Sequence, residues 1–102
     1  MSRVAFVMTL KPGHEEEYAR HHAEVPLDLL ALLARYGARN YSIFRLGLQL
    51  FGYLETDDPA LLETLSDEPL MRDWWKSMAP LMEANEDLSP VQSPLVEVFH
   101  LD

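Results

Sequence analysis

Four short apolar stretches, each bounded by residues typical of turns, predict β-strands. The first runs from Arg3 to Leu10 and ends at a Lys-Pro-Gly turn. Two more, Asn40–Leu46 and Leu48–Thr56, meet near Gly47 and predict a hairpin. The last covers Leu95–Leu101. Two longer segments separate these strands, and their apolar residues follow a different period.

Between the first and second strands, apolar and aromatic residues recur every three or four positions, which predicts one face of an α-helix. Glu15–Glu17 opens this helix, where negative charge suits the positive end of the helix dipole. Gly37 is a suitable stop. Pro26 falls inside the pattern and should kink or divide the helix. The face consists of Tyr18, His22, Val25, Leu29, Leu32 and Tyr36.

A second helical region follows the hairpin. Asp58 is a candidate N-cap with Pro59 at the first helical position, so a helix is predicted to about Ser66. A further helical segment covers Glu68–Met82, and the polar, proline-containing stretch Glu83–Pro94 is predicted to be a long loop. The order is β-α-β-β-α-β. It predicts a single α+β domain of 102 residues with a ferredoxin-like, four-stranded antiparallel sheet.

Apolar residues occupy both faces of the predicted strands, although both helices of this plan cover the same face. In the first strand, for example, Val4, Phe6 and Met8 lie opposite Ala5 and Val7. A second subunit is the simplest cover for the other face. The sequence therefore predicts a homodimer packed sheet on sheet, which forms a dimeric α+β barrel.

The composition narrows the class of protein. Apolar residues make up 48% of the chain and charged residues 25%, which is typical of globular domains. A net charge of -9 argues against nucleic acid and against an anionic membrane surface as partners. The absence of cysteine excludes disulfides, thiol catalysis and Cys-zinc sites. No apolar run approaches the length of a membrane span, and a cytoplasmic location is expected.

Three groups of side chains could carry chemistry. His22 follows Tyr18 by one helical turn, so the two side chains should meet, and an imidazole can give or take a proton near neutral pH. A hydrogen-bonded core histidine is the alternative. The adjacent Trp74 and Trp75 could line a cavity or an interface, where an indole face can stack on a sugar. Tyr41 and Tyr53 could orient a ligand with their hydroxyl groups or serve the structure alone.

A metal site is the other possibility on the first helix. His14, Glu17 and His21 share one helix face at spacings of three and four residues, which could hold zinc. That face follows the acidic opening turn, so solvated surface is the better interpretation and no metal is expected.

Seven short motifs follow one another along the chain: Arg3–Met8, Glu17–His22, Gly37–Tyr41, Trp74–Met78, Glu83–Asn85, Ser89–Val91 and Glu97–Phe99. Together they resemble the L-rhamnose mutarotase family over essentially the whole chain. The resemblance implies a dimeric α+β fold and an isomerase without a cofactor. Its reaction would interconvert the α and β anomers of L-rhamnose, or of a related 6-deoxy sugar such as L-fucose.

The resemblance also implies site residues. The catalytic histidine of the family falls on His22, the tyrosines that contact the substrate on Tyr18 and Tyr41, and the tryptophan pair on Trp74 and Trp75. The hypothesis is that the histidine exchanges the proton at the ring oxygen. The alternatives are a cofactor-independent monooxygenase of the same barrel plan and a non-catalytic sensor of a small ligand.

Overall fold

The computed structural model describes all 102 residues, and its framework is one four-stranded antiparallel sheet. The strands lie in the order β2-β3-β1-β4, so each strand pairs with neighbours that run in the opposite direction. Their bounds are β1 Ser2–Thr9, β2 Arg39–Leu46, β3 Gln49–Thr56 and β4 Ser93–Pro94. The predicted hairpin between β2 and β3 is confirmed and turns at Gly47, whose φ of 60° favours glycine.

Four helices cover one face of the sheet: α1 Glu15–Ala23, α2 Leu27–Arg35, α3 Pro59–Glu63 and α4 Pro69–Met78. The predicted first helix is divided at Pro26, because proline has no N–H to continue the ladder of helical hydrogen bonds. The predicted cap of the second helical region is confirmed, since Asp58 Oδ1 accepts a hydrogen bond of 3.0 Å from the Leu61 N–H. Single 3₁₀ turns follow α3 and α4.

The core lies between this sheet face and the helices. Phe6, Met8, Leu50 and Leu54 point from the sheet toward α1 and α4 and are buried there. A second buried cluster joins the helices to one another, with Leu29 and Leu32 from α2 and Leu65 and Met71 near α4. Alternate residues on β1 and β3 therefore form the sheet side of the core, against which the helices pack.

The strand β2 contains a bulge. Arg39 pairs with Glu55 and Ser42 pairs with Tyr53, so two residues of β2 occupy the place that Leu54 fills alone in β3. After the bulge, each residue of β2 lies on the face opposite to the one that an unbroken register would give it.

The prediction of a last strand over Leu95–Leu101 is wrong, because the ladder ends at Pro94. Beyond it the backbone makes one more hydrogen bond to β1, from Leu95 N–H to the Ala5 carbonyl at 2.9 Å. Side chains of this segment are exposed, Val98 to 93%, so little burial within the chain offsets the cost of ordering a strand.

The sheet face opposite the helices is apolar and uncovered within the chain. Phe44 and Leu46 of β2 are 67% and 71% exposed. On the same face Phe44 pairs with Phe51, and Val7 pairs with Phe51 from the other side. None of the helices is long and apolar enough to span a membrane.

Candidate functional site

A cleft of about 800 Å³ lies between the helices and the inner face of the sheet. Its lining is mainly apolar and comes from α1, α2, β1, β2, β3, α4 and the segment before β4. The structure brings together in this cleft all five of the predicted site residues: Tyr18, His22, Tyr41, Trp74 and Trp75.

The imidazole of His22 is held in one orientation and one protonation pattern. Its Nδ1 lies 3.0 Å from the carbonyl oxygen of Tyr18, one helical turn earlier. Because a carbonyl can only accept, Nδ1 carries the proton and the neutral ring leaves Nε2 as an acceptor. The Tyr18 ring stacks on the imidazole, with the ring centres 4.0 Å apart. Trp74 meets it edge to face at 5.3 Å.

The surroundings of His22 favour its neutral form. Burial lowers the pKa of the imidazole, and the positive charge of His21 lowers that pKa further. The hydrogen bond to the Tyr18 carbonyl acts in the opposite direction but is the smaller effect. His22 is therefore a neutral base at neutral pH.

Two phenols in the cleft stay protonated. Burial raises the pKa of Tyr18 well above its usual range, and the nearby phenol of Tyr41 raises it further. Burial also raises the pKa of Tyr41 to about 12. Neither hydroxyl has a protein hydrogen-bond partner, and no buried side-chain N or O atom in the chain lacks one. The Tyr18 hydroxyl must therefore reach open space, so a ligand can accept a hydrogen bond from it.

The two tryptophans of α4 both line the cleft, although adjacent helical residues point about 100° apart. Trp74 packs against the sheet core as well as the cluster between the helices, and Trp75 packs against the latter. Both are half-buried. The pair thus forms a bent apolar wall beside His22.

Tyr53, the other candidate tyrosine, lies outside the cleft. It is on the opposite face of the sheet and donates a hydrogen bond of 2.8 Å to the Glu55 carboxylate. Of the two alternatives for Tyr53, this position agrees with the purely structural one. The bulge in β2 separates Tyr41 from Tyr53, because it places Tyr41 on the inner face, where its ring meets Phe6 at 6.3 Å.

Sequence reasoning missed the other polar residues that line the cleft, which are Arg39, Asn40, Glu63, Ser66 and Gln92. Asn40 has a φ of 49°, a left-handed conformation that Asn tolerates better than most residues. Its position directly before Tyr41 in the sequence is the signal that could have identified Asn40 as a site residue. Gln92 lies within the predicted loop Glu83–Pro94, and its Nε2 donates to Met8 Sδ at 3.9 Å. Nothing in its local sequence distinguishes it from other loop residues.

The possible zinc ligands on α1 do not form a metal site. Glu17 lies between two imidazoles, 3.4 Å from His14 and 3.9 Å from His21, and all three side chains are over one-third exposed. No group of three or more His, Asp or Glu side chains is arranged to hold a metal ion.

The known proteins that this chain matches in sequence are L-rhamnose mutarotases. The sequence profile described as L-rhamnose mutarotase matches residues 3–101. The L-rhamnose mutarotases of Lactiplantibacillus plantarum and Oceanobacillus iheyensis are 47% and 41% identical to it, over the full length of both chains in each comparison. The crystal structure of an L-rhamnose mutarotase from Formosa agariphila superposes with a TM-score of 0.92 at 33% identity, again over both full chains. The tetracenomycin F2 cyclase of Streptomyces glaucescens, at 19% identity and a TM-score of 0.68 over both full chains, shares the fold alone.

Proposed function

This chain belongs to the L-rhamnose mutarotase family, and we propose that His22 transfers the proton in its reaction. The protein is an isomerase that interconverts the α and β anomers of L-rhamnose. Membership of this family does not favour a monooxygenase or a sensor. The residues that line the cleft would have different roles in this reaction.

One observation carries the role of His22. The Tyr18 carbonyl occupies Nδ1–H at 3.0 Å, so Nε2 is the ring atom free to take a proton. Mutarotation begins when a base removes the proton of the anomeric hydroxyl and the bond between C1 and the ring oxygen breaks. The ring oxygen leaves with that electron pair and gains a proton. After rotation about C1–C2, the reverse steps close the ring on the other face of the carbonyl.

The protonation pattern supports a division of roles. His22 in its neutral form would be the base for the anomeric hydroxyl, whereas the sequence-based hypothesis has it exchange the proton at the ring oxygen. Tyr18 and Tyr41, whose phenols keep their protons, are the donors beside it. Tyr18 also orients the imidazole, through its backbone carbonyl and its stacked ring. The ring oxygen would receive its proton from one of the two phenols or from a water.

The apolar wall suits a 6-deoxy sugar. Trp74 and Trp75 present indole surfaces on which the C–H face of a pyranose can stack, and the methyl group of the sugar needs no polar partner. Tyr41, which lines the cleft from the sheet side, would bind a hydroxyl group of the sugar. We propose these three residues, with Tyr18, as the substrate-binding set.

The test of this function is saturation-transfer NMR on L-rhamnose, which follows exchange between the anomers with and without the protein. We expect faster exchange in proportion to protein concentration, and L-fucose measured in parallel shows whether related 6-deoxy sugars are accepted. Sugar binding with unaltered exchange would identify a sensor and contradict the proposal. Oxygen uptake with a quinol substrate would instead support a monooxygenase.

The pH profile should have a single acidic limb. Burial lowers the pKa of His22 below the ordinary 6.5, so the base form persists at pH 6.5 and is lost as the pH falls further. We expect kcat/KM, after subtraction of the buffer-catalysed rate, to fall with an apparent pKa below 6.5. The rate should stay level on the alkaline side to about pH 9, because the phenols remain protonated there. A loss of rate between pH 7 and 9 would show that the essential group acts as an acid.

The assembly is a separate proposal. The strand order β2-β3-β1-β4, with helical segments between β1 and β2 and between β3 and β4, supports a ferredoxin-like plan. We propose that a second copy covers the uncovered sheet face and closes a dimeric barrel. The exposed Phe44 and Leu46, continuous with Val7 and Phe51, form the kind of apolar surface that monomers rarely present to water.

Charge on that face should separate the subunits. We expect light scattering to report a dimer for the unmodified protein at micromolar concentration and a monomer for the double variant Phe44→Asp/Leu46→Asp, because association would desolvate the new carboxylates. Leu27→Asp is the matched control. Leu27 is equally apolar and 83% exposed but lies on α2, so this variant should stay dimeric. A monomeric unmodified protein would contradict the proposed assembly.

A further inference from the structure

The bulge in β2 determines which face of the sheet Tyr41 occupies. Before the bulge, Arg39 pairs with Glu55 on the face away from the helices. If that register continued, Tyr41 would pair with Tyr53 on the same outer face. The register actually shifts by one residue before Ser42, so Asn40 and Tyr41 together oppose Leu54. The extra residue brings Tyr41 to the inner face and into the cleft.

Asn40 provides the backbone that this shift requires. Its φ of 49° lies in the left-handed region, where most side chains are strained and Asn and Gly are favoured. Only one other residue that is not glycine, Leu88, has a positive φ. The left-handed residue therefore coincides with the register shift and directly precedes Tyr41.

The side chain of Asn40 anchors the bulge to the neighbouring strand. Its Nδ2 donates a hydrogen bond of 2.7 Å to Glu55 Oε1, and the Tyr53 hydroxyl donates to the other carboxylate oxygen at 2.8 Å. The two hydrogen bonds lower the pKa of Glu55 and keep it ionised as an acceptor. Arg39, the residue before Asn40, pairs with Asp57 at 2.9 Å. Two side-chain contacts thus fix the start of the shifted segment.

We propose that Asn40 is a positioning residue that presents Tyr41 to the sugar. Its side-chain amide is bonded to Glu55, so it acts by holding the one-residue bulge that turns the phenol from the outer face of the sheet to the inner face. This inference rests on the proposed role of Tyr41 in binding a sugar hydroxyl. It goes beyond that role because it assigns the placement of the phenol to a residue on which no chemistry depends.

The test compares substitutions at position 40 with Tyr41→Phe. We expect Tyr41→Phe to lower kcat/KM about tenfold, as one lost hydrogen bond would. Asn40→Val should lower it at least as much, because a β-branched residue resists the left-handed conformation. Asn40→Gly, which accepts that conformation, should remain within about threefold of the unmodified protein. The control Ser42→Ala, an exposed position on the same strand, should have no effect.

The decisive measurement is the double variant Asn40→Val/Tyr41→Phe. If Asn40 acts through Tyr41, the double variant should be no worse than Asn40→Val alone. The NMR contact between the rings of Tyr41 and Phe6 should be present in the unmodified protein and in Asn40→Gly, and lost in Asn40→Val. Should Asn40→Val fail to fold, Asn40→Ala is assessed by the same contact and the same cycle.

The outcomes separate the two proposals. Losses that multiply in the double variant, or an unchanged ring contact in Asn40→Val, would overturn the role of Asn40. Full activity of Tyr41→Phe would instead reject the proposed contact of Tyr41 with the sugar. The ring contact would then still report whether Asn40 sets the position of the phenol.

Discussion

Replacing His22 with alanine should remove about 100-fold to 10,000-fold of the acceleration of anomer exchange, the usual range for a general acid-base group. The loss is expected in kcat, because proton transfer is the chemical step of the reaction. His22 is the one imidazole that lines the cleft. Saturation-transfer NMR on L-rhamnose measures it directly, since the exchange rate of the free sugar is the baseline. His22→Gln provides a second test, because the amide fills similar space but cannot take up a proton.

Two controls make this result specific. His21→Ala removes the neighbouring imidazole, which faces Glu17 rather than the cleft, and should leave exchange almost unaffected. Thermal unfolding of His22→Ala and His22→Gln shows whether α1 remains folded after loss of the stacking contact with Tyr18. If a folded His22→Gln variant kept nearly full exchange, His22 would not transfer the proton. Its side chain would then only line the cleft.

Gly52→Ala should lower the free energy of unfolding by about 1–3 kcal/mol, the usual cost of overpacking a core. A Cβ at position 52 would lie 2.4 Å from Cε2 and Cζ of Phe6, well inside van der Waals contact. Phe6 pairs with Gly52 across β1 and β3, and its ring belongs to the buried core. The ring would have to move, and its edge contact with Tyr41 would move with it. Thermal or urea unfolding at a fixed protein concentration measures the change.

A double-mutant cycle identifies the cause of that loss. Phe6→Leu removes the ring atoms that the new methyl group would meet, at its own cost in buried area. Gly52→Ala should therefore cost much less in the Phe6→Leu background than in the unmodified protein. An equal cost in both backgrounds would show that the ring of Phe6 is not what the methyl group displaces.

Local sequence signals predict the parts of the fold that depend on local chemistry. Pro26 divides the first helix because it lacks an N–H, wherever the helix lies in the molecule. Asp58 caps α3 and Gly47 turns the hairpin for reasons confined to a few residues. Helical spacing and family resemblance also point to the five site residues. Their meeting in one cleft follows from the packing of α1 and α4 on the sheet.

The features that the sequence does not predict depend on contacts between distant segments. The stretch Leu95–Leu101 has the composition of a strand, yet its apolar side chains remain exposed within the chain. The bulge at Asn40 changes the face of every later residue in β2, and alternation counted along the sequence cannot reveal such a shift. Tyr41 and Tyr53 look equivalent in the sequence for that reason.

The acceptor that fixes the tautomer of His22 belongs to the backbone. Every amino acid supplies a carbonyl at position 18, so exchanging the tyrosine alters the stacked ring while the partner of Nδ1 persists. The tautomer of His22 is therefore preserved when residue 18 changes, and only disruption of the helical turn itself would alter it. Homologues could therefore vary the residues that line the cleft, and with them the sugars they accept, while keeping Nε2 of this histidine as the proton acceptor.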